Sequence, residues 1–249
     1  MAVPAIRVGT SGFSYDAWAG SFYPEELGAD ERLSFYATKL AAVEINNTYY
    51  RMPKPEVVAR WASQVPAPFR FVVKAPRRLT QTKDDDDLDR GLARLYTVVR
   101  ELGDRLGLVY FQLPPWARKD PDRLERLIAG APPGLGVSVE LQHPSWRDDG
   151  VLALLRSRGL TLVHSDREES EPDAPLVPTS PVGHVRLRRP EYDARALERW
   201  ASRIAGSGLR EVYVFIKHED EGRSPALARA FLDAWARVVG QTSPAVEAR

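Results

Sequence analysis

The chain has 249 residues, of which 43% are apolar and 28% are charged, and its formal net charge is +1. This composition is ordinary for a globular protein, and the small net charge excludes a strong overall basic field of the kind that binds nucleic acids or membrane surfaces. The chain has no cysteine, which excludes disulfides, thiolate metal sites and cysteine nucleophiles.

The first residues, MAVPAIRVGTSG, lack the basic segment and the apolar run of about 7–15 residues that form a signal peptide. No stretch reaches the roughly 18 apolar residues that a membrane span needs. We therefore expect a cytoplasmic protein without a membrane partner. The length is compatible with one large domain or two small ones, and TIM barrels are commonly about this long.

Short runs of β-branched and aliphatic residues recur along the chain. They predict eight strands, at residues 6–9, 43–46, 70–74, 107–113, 136–142, 160–166, 184–188 and 212–217. Most of the segments between them have apolar residues at the i, i+3, i+4, i+7 spacing of amphipathic helices. Strands that alternate with helices form a mostly parallel sheet, and eight such units close a barrel. The sequence therefore predicts an α/β fold of the TIM (β/α)8 type.

Two segments depart from this alternation. Residues 167–183 contain four prolines and no apolar period, which predicts a long loop in place of the sixth helix. Residues 241–249 are expected to be a disordered tail, so that residues 1–240 form a single domain. Helix starts are predicted at the acidic run 83–87 and at two residue pairs that place a capping side chain before proline, Asp120-Pro121 and Ser224-Pro225.

Polar residues alternate with apolar ones along several predicted strands, most densely in AAVEINNTYYR at residues 41–51. Successive strand side chains point to opposite faces. Assigning the more aliphatic face of each strand to the helix layer places a polar set inside the barrel. Its members are Arg7, Ser11, Glu44, Asn46, Lys74, Gln112, Glu140, Gln142, His164, Asp166, Arg186, Arg188 and Lys217. Most lie at C-terminal strand ends, where TIM-barrel enzymes have their active sites.

Cations outnumber anions in this set, with Arg7, Lys74, Arg186, Arg188 and Lys217 against Glu44, Glu140 and Asp166. Buried unpaired charges are unfavourable, and guanidinium groups suit carboxylate or phosphate oxygens. The excess of cations predicts a small anionic ligand. A structural explanation stays equally open, in which Arg7 pairs with Glu44 and Arg186 pairs with Glu140 inside the barrel.

Three chemistries are open for this set. Lys74 would act as a point charge or, when desolvated, as an amine nucleophile or base. Glu44 and Glu140 would form an acid–base pair. No cofactor is predicted, but a divalent metal remains an alternative, since several oxygen and nitrogen ligands are present. The residues of that metal set are Glu140, His143, His164 and Asp166.

The histidines divide between the two ends of the predicted barrel. His143, His164 and His218 fall at C-terminal strand ends, whereas His184 opens its predicted strand and is expected at the far rim. Aromatic residues such as Tyr15 follow several strands. In such loops they more often cover the open end of a barrel than stack on a ligand.

The motifs GTSGFSYDAWAGSFYP, VEINNTYYRMP, FQLPP, ELQHPSW, VRLRRPEY and VYVFIKHED occur in this order along the chain. Together they resemble the domain-of-unknown-function 72 family of YecE-like proteins, from residue 6 to residue 238. The resemblance implies a TIM-barrel-like fold and a bacterial, cytosolic protein, without an established activity. A barrel fold by itself does not determine a reaction.

Residue by residue, the family pattern matches Gly9, Ser11, Tyr15, Trp18, Tyr23, Glu44, Asn46, Thr48, Tyr50, Lys74, Gln112, Glu140, His143, Trp146, Asp166 and Arg186. The chain departs from that pattern at Leu141-Gln142 and at Arg188-Arg189. An arginine absent at 142 and arginines gained at 188 and 189 would move an anion site across the barrel.

These observations predict an enzyme that acts on a small anionic, phosphorylated or carboxylated molecule at the barrel mouth. The catalytic candidates are Glu44, Glu140, Lys74 and Asp166. The substrate-binding candidates are Ser11, Tyr15, Asn46, Thr48, Tyr50, Gln112, His143, Trp146, Arg186, Arg188, Lys217 and His218. One alternative is a divalent-metal-dependent hydrolase or isomerase. Another is a nucleic-acid-binding protein whose phosphate contacts are Arg77, Arg78, Arg186, Arg188 and Arg189.

Overall fold

Eight parallel strands form a closed barrel in the computed structural model, which describes residues 2–166, 175–217 and 222–240. The strands are β1 (Ala5–Ser11), β2 (Ala42–Ile45), β3 (Arg70–Lys74), β4 (Leu106–Leu113), β5 (Val137–Leu141), β6 (Thr161–Asp166), β7 (Val182–Leu187) and β8 (Glu211–Ile216). Each strand pairs with the next one along the chain, and β8 pairs with β1. The eight predicted strands and the predicted TIM-barrel fold are therefore confirmed.

Helices follow seven of the eight strands within the described ranges. They are α1 (Arg32–Ala37), α2 (Pro55–Ser63), α3 (Arg77–Gln81), α4 (Asp85–Val99), α5 (Pro121–Ala129), α6 (Asp149–Ser157), α7 (Ala194–Ala205) and α8 (Arg223–Val239). Four short 3-10 helices add Asp16–Trp18, Asn47–Tyr49, Arg100–Arg105 and Pro144–Trp146. No described helix combines the length and apolar character that crossing a bilayer requires.

The connection from β6 to β7 agrees with the predicted loop as far as it is described. Residues 175–181 form no helix. The remaining predicted loop residues before them, 167–174, lie outside the described ranges, and so does the predicted tail at 241–249.

Two of the three predicted helix starts are confirmed. The side chain of Asp84 accepts from the backbone N–H of Asp87 at 2.8 Å, at the start of α4. Asp120 accepts from the backbone N–H of Arg123 at 2.9 Å, at the start of α5. Such bonds satisfy amides that have no partner within the helix. The cap predicted at Ser224 is wrong, because α8 begins at Arg223, two residues before the predicted first helical residue Pro225, and Ser224 is buried inside its first turn.

Apolar side chains fill two separate layers. Between strands and helices lies the larger layer, which includes Val43 and Ile45 of β2. Inside the barrel, a smaller layer consists of Ala42, Val72, Leu108, Tyr110, Val163, Tyr213 and Phe215. Because Glu44 alternates with Val43 and Ile45, it points into the barrel, where it is fully buried. Toward the C-terminal ends of the strands the interior becomes polar.

A close approach of β1 and β2 brings two polar residues together at that end. A Cβ atom on Gly9 would lie 1.9 Å from the carbonyl oxygen of Ala42, so β1 needs a glycine here. The same oxygen accepts from the Tyr36 hydroxyl at 2.9 Å. The resulting register places Ser11 beside Glu44.

Candidate functional site

Arg186 lies at the centre of a buried charged network inside the barrel, with only 2% of its side chain exposed. Its Nε and Nη2 atoms donate to the two carboxylate oxygens of Glu44, both at 2.9 Å. Its Nη1 atom donates to Glu140 Oε2 and to Tyr110 Oη, both at 3.0 Å. One guanidinium therefore joins β2, β4, β5 and β7 by charge-assisted hydrogen bonds. The predicted Arg186–Glu140 pair is confirmed, and Glu44 is a second partner.

The carboxylate of Glu44 accepts hydrogen bonds from several further side chains. Ser11 Oγ and Asn46 Nδ2 donate to Oε1 at 2.7 and 3.0 Å, and His184 Nε2 lies 3.2 Å from Oε2. Burial by itself would raise the pKa of Glu44, but the Arg186 guanidinium and the His184 hydrogen bond outweigh it and hold the pKa well below its usual value. Glu44 is therefore a stable carboxylate that has no proton to donate at neutral pH.

Glu140 is held in a similar way and is only 3% exposed. Tyr110 Oη and Gln112 Nε2 donate to Oε2, the latter at 2.9 Å, and Gln142 Nε2 donates to Oε1 at 2.8 Å. With Arg186, these donors occupy both oxygens. Glu44 and Glu140, the two residues of the predicted acid–base pair, thus lie in one cluster, but both carboxylates accept hydrogen bonds from neighbouring side chains.

Arg7 does not join this cluster. The predicted Arg7–Glu44 pair is wrong, because Arg7 lies near the start of β1 whereas Glu44 lies at the level of Ser11. The guanidinium instead pairs with Glu211 and donates to the Pro68 carbonyl at 2.7 Å. These contacts place Arg7 at the N-terminal end of the barrel, away from the mouth.

His184 belongs to the interior, so its predicted position at the far rim is wrong. β7 begins at Val182, two residues before the predicted start, and this moves His184 into the barrel, where it is fully buried. Its Nδ1 atom lies 3.0 Å from Ser138 Oγ, and Nε2 faces Glu44. Burial lowers the pKa of His184. The neutral ring therefore completes the hydrogen bonding beneath the carboxylate.

Lys74 ends β3 at the edge of this network, with 8% of the residue exposed. Its Nζ atom donates to Gln112 Oε1 at 2.8 Å and lies 3.9 Å from the centre of the Tyr49 ring. Burial, followed by the charge of Arg186, lowers the pKa of Lys74 to about 8, although Glu44 and Glu140 raise it. At neutral pH, a measurable fraction of this side chain is therefore the neutral amine.

A cavity of about 430 Å³ opens above Lys74 at the C-terminal mouth of the barrel. Its described lining consists of four cationic side chains, four neutral polar side chains and three tyrosines. These are Lys74, Arg186, Arg188 and Lys217; Ser11, Asn46, Asn47 and Gln112; and Tyr15, Tyr49 and Tyr50. In this described lining there is no carboxylate. The predicted convergence of polar residues from several strands on one mouth is therefore present.

A second cavity, of about 620 Å³, lies outside the barrel between β6 and α6. Its lining includes Asp148 and Asp149 next to Arg147, together with several leucines. The charges of this cavity do not favour an anion. The mouth cavity is therefore the better match to the ligand class that the sequence predicts.

Leu162, His164 and Asp166 share the face of β6 that points toward the helices, so the predicted interior placement of His164 and Asp166 is wrong. Asp166 accepts from Arg189 Nε at 2.7 Å, from Tyr192 Oη at 3.0 Å and from Trp200 Nε1 at 3.1 Å. His164 Nε2 accepts from the Val177 backbone N–H at 3.3 Å. These two side chains thus connect β6 to its neighbouring segments on the outside of the barrel.

The reason for this error is visible in β6 itself. Thr161, Val163 and Ser165 alternate with Leu162, and the smaller side chain Val163 is the one in the interior layer. Leu162 packs against the layer beneath the helices instead. The face of β6 with the smaller side chains points into the barrel, whereas the prediction placed the face with the more polar side chains there.

Other predicted binding residues have structural contacts. β2 ends at Ile45 and residues 47–49 form a 3-10 turn, so strand alternation fails for Thr48, whose hydroxyl donates to the Lys74 carbonyl at 2.6 Å. Tyr50 is 77% exposed at the rim. His143 accepts from the Ser145 backbone N–H at 3.1 Å, so it caps a short helix.

The two remaining aromatic candidates differ in position, since one is buried away from the mouth cavity and the other lines it. Trp146 is buried and donates from Nε1 to the Ala117 carbonyl at 2.8 Å. Tyr15 lines the mouth cavity and donates to the Ser11 carbonyl at 2.7 Å. His218 lies outside the described residues.

The alternative metal set is not brought together. Glu140 points into the barrel, whereas His164 and Asp166 point toward the helices, and His143 caps a turn. Within residues 2–166, 175–217 and 222–240, no three acidic or histidine side chains are arranged to hold a metal ion.

The arginines that were predicted to contact nucleic-acid phosphates are also partly engaged. Arg78 pairs with Asp87 at 2.8 Å, and Arg189 pairs with Asp166. Arg186 is bound by two carboxylates and almost completely buried. These contacts reduce the basic surface that was available for the nucleic-acid hypothesis.

The residues of the site that were not among the candidates include His184, which was expected at the far rim, and Tyr110, Asn47 and Tyr49. Tyr110 shares its face of β4 with Gln112, so the alternation rule would have found it. Asn47 and Tyr49 lie in the turn after β2, where Tyr49 contacts Lys74 only because that turn is helical. No periodicity in the sequence predicts that contact.

Comparisons with known proteins agree with this architecture. A family model described as "Protein of unknown function DUF72" matches residues 7–248. The chain belongs to the DUF72 family. Two solved members show the same fold. A DUF72 protein from Enterococcus faecalis is 19% identical, with a TM-score of 0.76 and coverage of 98% of both chains. A DUF72 protein from Thermotoga maritima is 23% identical, with a TM-score of 0.73 and coverage of 95% of this chain and 100% of that one.

The DUF72 chain is also similar to curated proteins. It is 30% identical to the UPF0759 protein YecE of Escherichia coli over 156 residues, which are 62% of this chain and 55% of that protein. It is 20% identical to YunF of Bacillus subtilis over 216 residues, or 81% and 75% of the two chains. The chain thus spans about half of the length of the YecE relative. A xylose isomerase domain protein from Alicyclobacillus acidocaldarius, 14% identical with a TM-score of 0.55 over 96% and 100% of the chains, shares the barrel fold.

Proposed function

We propose that this DUF72 protein is an enzyme that binds a small phosphorylated or carboxylated molecule in the cavity at the barrel mouth. The observation that carries the proposal is the composition of the described lining, which joins Lys74, Arg188 and Lys217 with neutral amides and hydroxyls. Cations in a concave, partly desolvated site attract an anion more strongly than they would in open water.

The interior carboxylates do not reverse the positive charge of the cavity lining. Glu44 and Glu140 both bind Arg186, and each also accepts hydrogen bonds from neutral side chains. This arrangement supports a structural role for Arg186, which fixes the floor of the cavity. Arg188 is 22% exposed and its Nη1 atom lies 4.0 Å from Glu140 Oε1, and with Lys217 it lines the cavity at the level where a bound anion would lie.

The size of the cavity supports a small ligand. A volume of about 430 Å³ lies within the roughly 300–1,000 Å³ of small-molecule sites. Ser11, Asn46, Asn47 and Gln112 offer hydroxyl and amide groups to the polar remainder of such a molecule. A phosphorylated sugar or a sugar acid has this combination of one anionic group and several hydroxyls.

A thermal-shift screen followed by calorimetry tests the proposal. The panel pairs each anion with its neutral counterpart: glucose 6-phosphate with glucose, ribose 5-phosphate with ribose, gluconate with glucitol, and AMP with adenosine. A ligand at about 100 times its dissociation constant stabilises the fold by about 2.7 kcal/mol. We expect a shift with one anionic class and none with the neutral partners.

Variants locate the bound anion. Arg188→Met and Lys217→Met each remove one charge-assisted hydrogen bond, worth about 1.5–3 kcal/mol, so the dissociation constant should rise by roughly 10- to 150-fold. Lys39→Met is the matched control, because Lys39 is exposed just before the start of β2, at the opposite end of the barrel. Equal affinity in all three variants, or equal binding of a neutral counterpart, would overturn the proposal.

A further inference from the structure

The amine of Lys74 occupies an unusual position for a buried lysine. Nζ lies at the boundary between the charged network and the mouth cavity, and its described polar partner is a neutral amide oxygen, Gln112 Oε1 at 2.8 Å. Aromatic rings form the adjoining walls, with ring centres at 3.9 Å for Tyr49 and 5.6 Å for Tyr110. Among the described residues, no carboxylate oxygen lies within 4.0 Å of this nitrogen.

A lysine that only balances charge would be expected to contact one of the nearby carboxylates, because buried ammonium groups are usually paired. In this barrel it is Arg186, and not Lys74, that pairs with the nearby carboxylates Glu44 and Glu140. The amide of Gln112 is itself oriented, since its Nε2 donates to Glu140 and thereby turns Oε1 toward Lys74. The network therefore positions the amine without neutralising it.

The protonation state agrees with this geometry. Burial is the largest cause that lowers the pKa of Lys74 to about 8, and Arg186 and Arg188 lower it further, whereas Glu44 and Glu140 raise it. About one tenth of the side chain is then a neutral amine at pH 7, compared with less than about one thousandth for an ordinary lysine. The neutral amine is the form that attacks a carbonyl carbon.

We propose that Lys74 is a nucleophile that forms an imine with the carbonyl group of an anionic aldehyde or ketone bound in the mouth cavity. This inference rests on the proposed function and narrows its substrate class to molecules that carry both a carbonyl group and a phosphate or carboxylate. Arg188 and Lys217 would hold the anionic group, while the carbonyl carbon lies over Lys74.

The chemistry needs no additional reactant. The lone pair of the neutral amine forms a bond to the carbonyl carbon, and the electrons of the C=O double bond move to oxygen, which takes up a proton from the nitrogen. The carbinolamine then loses its oxygen as water, with the proton that the lysine released on becoming neutral. The net change is ammonium plus carbonyl to iminium plus water, so atoms and charge balance. An iminium withdraws electrons from the neighbouring carbon, which makes proton removal or C–C cleavage there easier.

Reductive trapping tests the inference. The full-length protein is incubated with dihydroxyacetone phosphate, glyceraldehyde 3-phosphate or pyruvate and then with borohydride, which reduces an imine to a stable secondary amine. Peptide mass spectrometry locates the adduct, which has the mass of the probe less one oxygen atom. We expect at least tenfold more adduct on Lys74 than on Lys39, a matched control that also lies over an aromatic ring, Phe35 at 5.4 Å, but is exposed.

Neutral probes and variants complete the design. Dihydroxyacetone and glyceraldehyde should give at least tenfold less adduct on Lys74 than their phosphates, and Arg188→Met should remove most of this difference. Lys74→Arg keeps a positive charge but forms no imine, so it should lose the adduct while its circular dichroism spectrum stays that of the wild type. An adduct spread evenly over the lysines would overturn the inference.

The outcome also separates this inference from the proposed function. If the anions of the thermal-shift panel bind but no probe is trapped on Lys74, the anion site stands and the imine is refuted. If anions do not bind and Lys74 is trapped equally by neutral and anionic probes, the amine is reactive, but both the anion site and the substrate class assigned here are wrong.

Discussion

Replacing Arg186 with methionine removes the guanidinium that bridges Glu44 and Glu140. Methionine has a similar length but offers no donor. Glu44, which is 0% exposed, then loses its arginine partner, and Glu140, which is 3% exposed, retains Arg188, whose Nη1 atom lies 4.0 Å from Oε1. Breaking a buried ion pair in this way costs about 3–5 kcal/mol, mostly because a charge is left without compensation. We expect the free energy of unfolding at pH 7.5 to fall by about this amount.

The pH dependence of this loss follows from Glu44. In the wild type the pKa of Glu44 is held well below its usual value, so its stabilising contribution is present at neutral pH and declines as the pH falls toward that pKa. Without Arg186, burial dominates and raises the pKa above the unfolded value. The variant then carries a penalty at pH 7.5 that protonation relieves, by about 1.4 kcal/mol for each pH unit below the raised pKa.

Urea unfolding followed by circular dichroism at pH 7.5 and at pH 5 measures both effects. The stability difference between wild type and Arg186→Met should be larger at pH 7.5 than at pH 5. A triple variant, Arg186→Met with Glu44→Gln and Glu140→Gln, removes the guanidinium together with both of its carboxylate partners and should be more stable at pH 7.5 than the single variant. A loss below about 1 kcal/mol at pH 7.5, or an equal loss at both pH values, would refute this account of the network.

Two further predictions concern the frame of the site. Gly9→Ala should destabilise the fold by about 1–3 kcal/mol or more in urea unfolding, because the new Cβ would meet the Ala42 carbonyl oxygen at 1.9 Å. The control Gly130→Ala, whose new Cβ would have its nearest neighbouring atom at 3.6 Å, should change stability little. Acylation of Lys74 by a small amine-reactive reagent should rise with a midpoint near pH 8, the value to which burial lowers its pKa. A midpoint at the usual lysine value of about 10.4 would contradict the reasoning.

The sequence was sufficient to predict the barrel and much of its polar interior. Strand periodicity and the requirement for eight units define the fold, and simple alternation correctly places Glu44, Glu140 and Arg186 on one face. The same rule failed for Asp166, because strand alternation fixes which residues share a face but not which face points inward. In β6 that choice depends on the space available in the interior, which Val163 fits.

The contact partners of these side chains were harder to predict than the strand faces on which they lie. The sequence shows that Arg7 and Glu44 both point into the barrel, but their heights along its axis depend on the stagger between strands, which places Arg7 beside Glu211. The contact of Lys74 with Tyr49 depends on a 3-10 turn that begins immediately after Asn46. Such a turn is specified by tertiary packing more than by local propensity, so neither contact has a signature in the sequence.

A crystal structure of the protein with the anion that gives the largest thermal shift would locate the bound anion. We expect its phosphate or carboxylate group within hydrogen-bond distance of Arg188 and Lys217, with the rest of the molecule over Lys74. An anion bound instead in the cavity between β6 and α6, or at the arginines near Arg78, with an empty barrel mouth, would contradict this expectation.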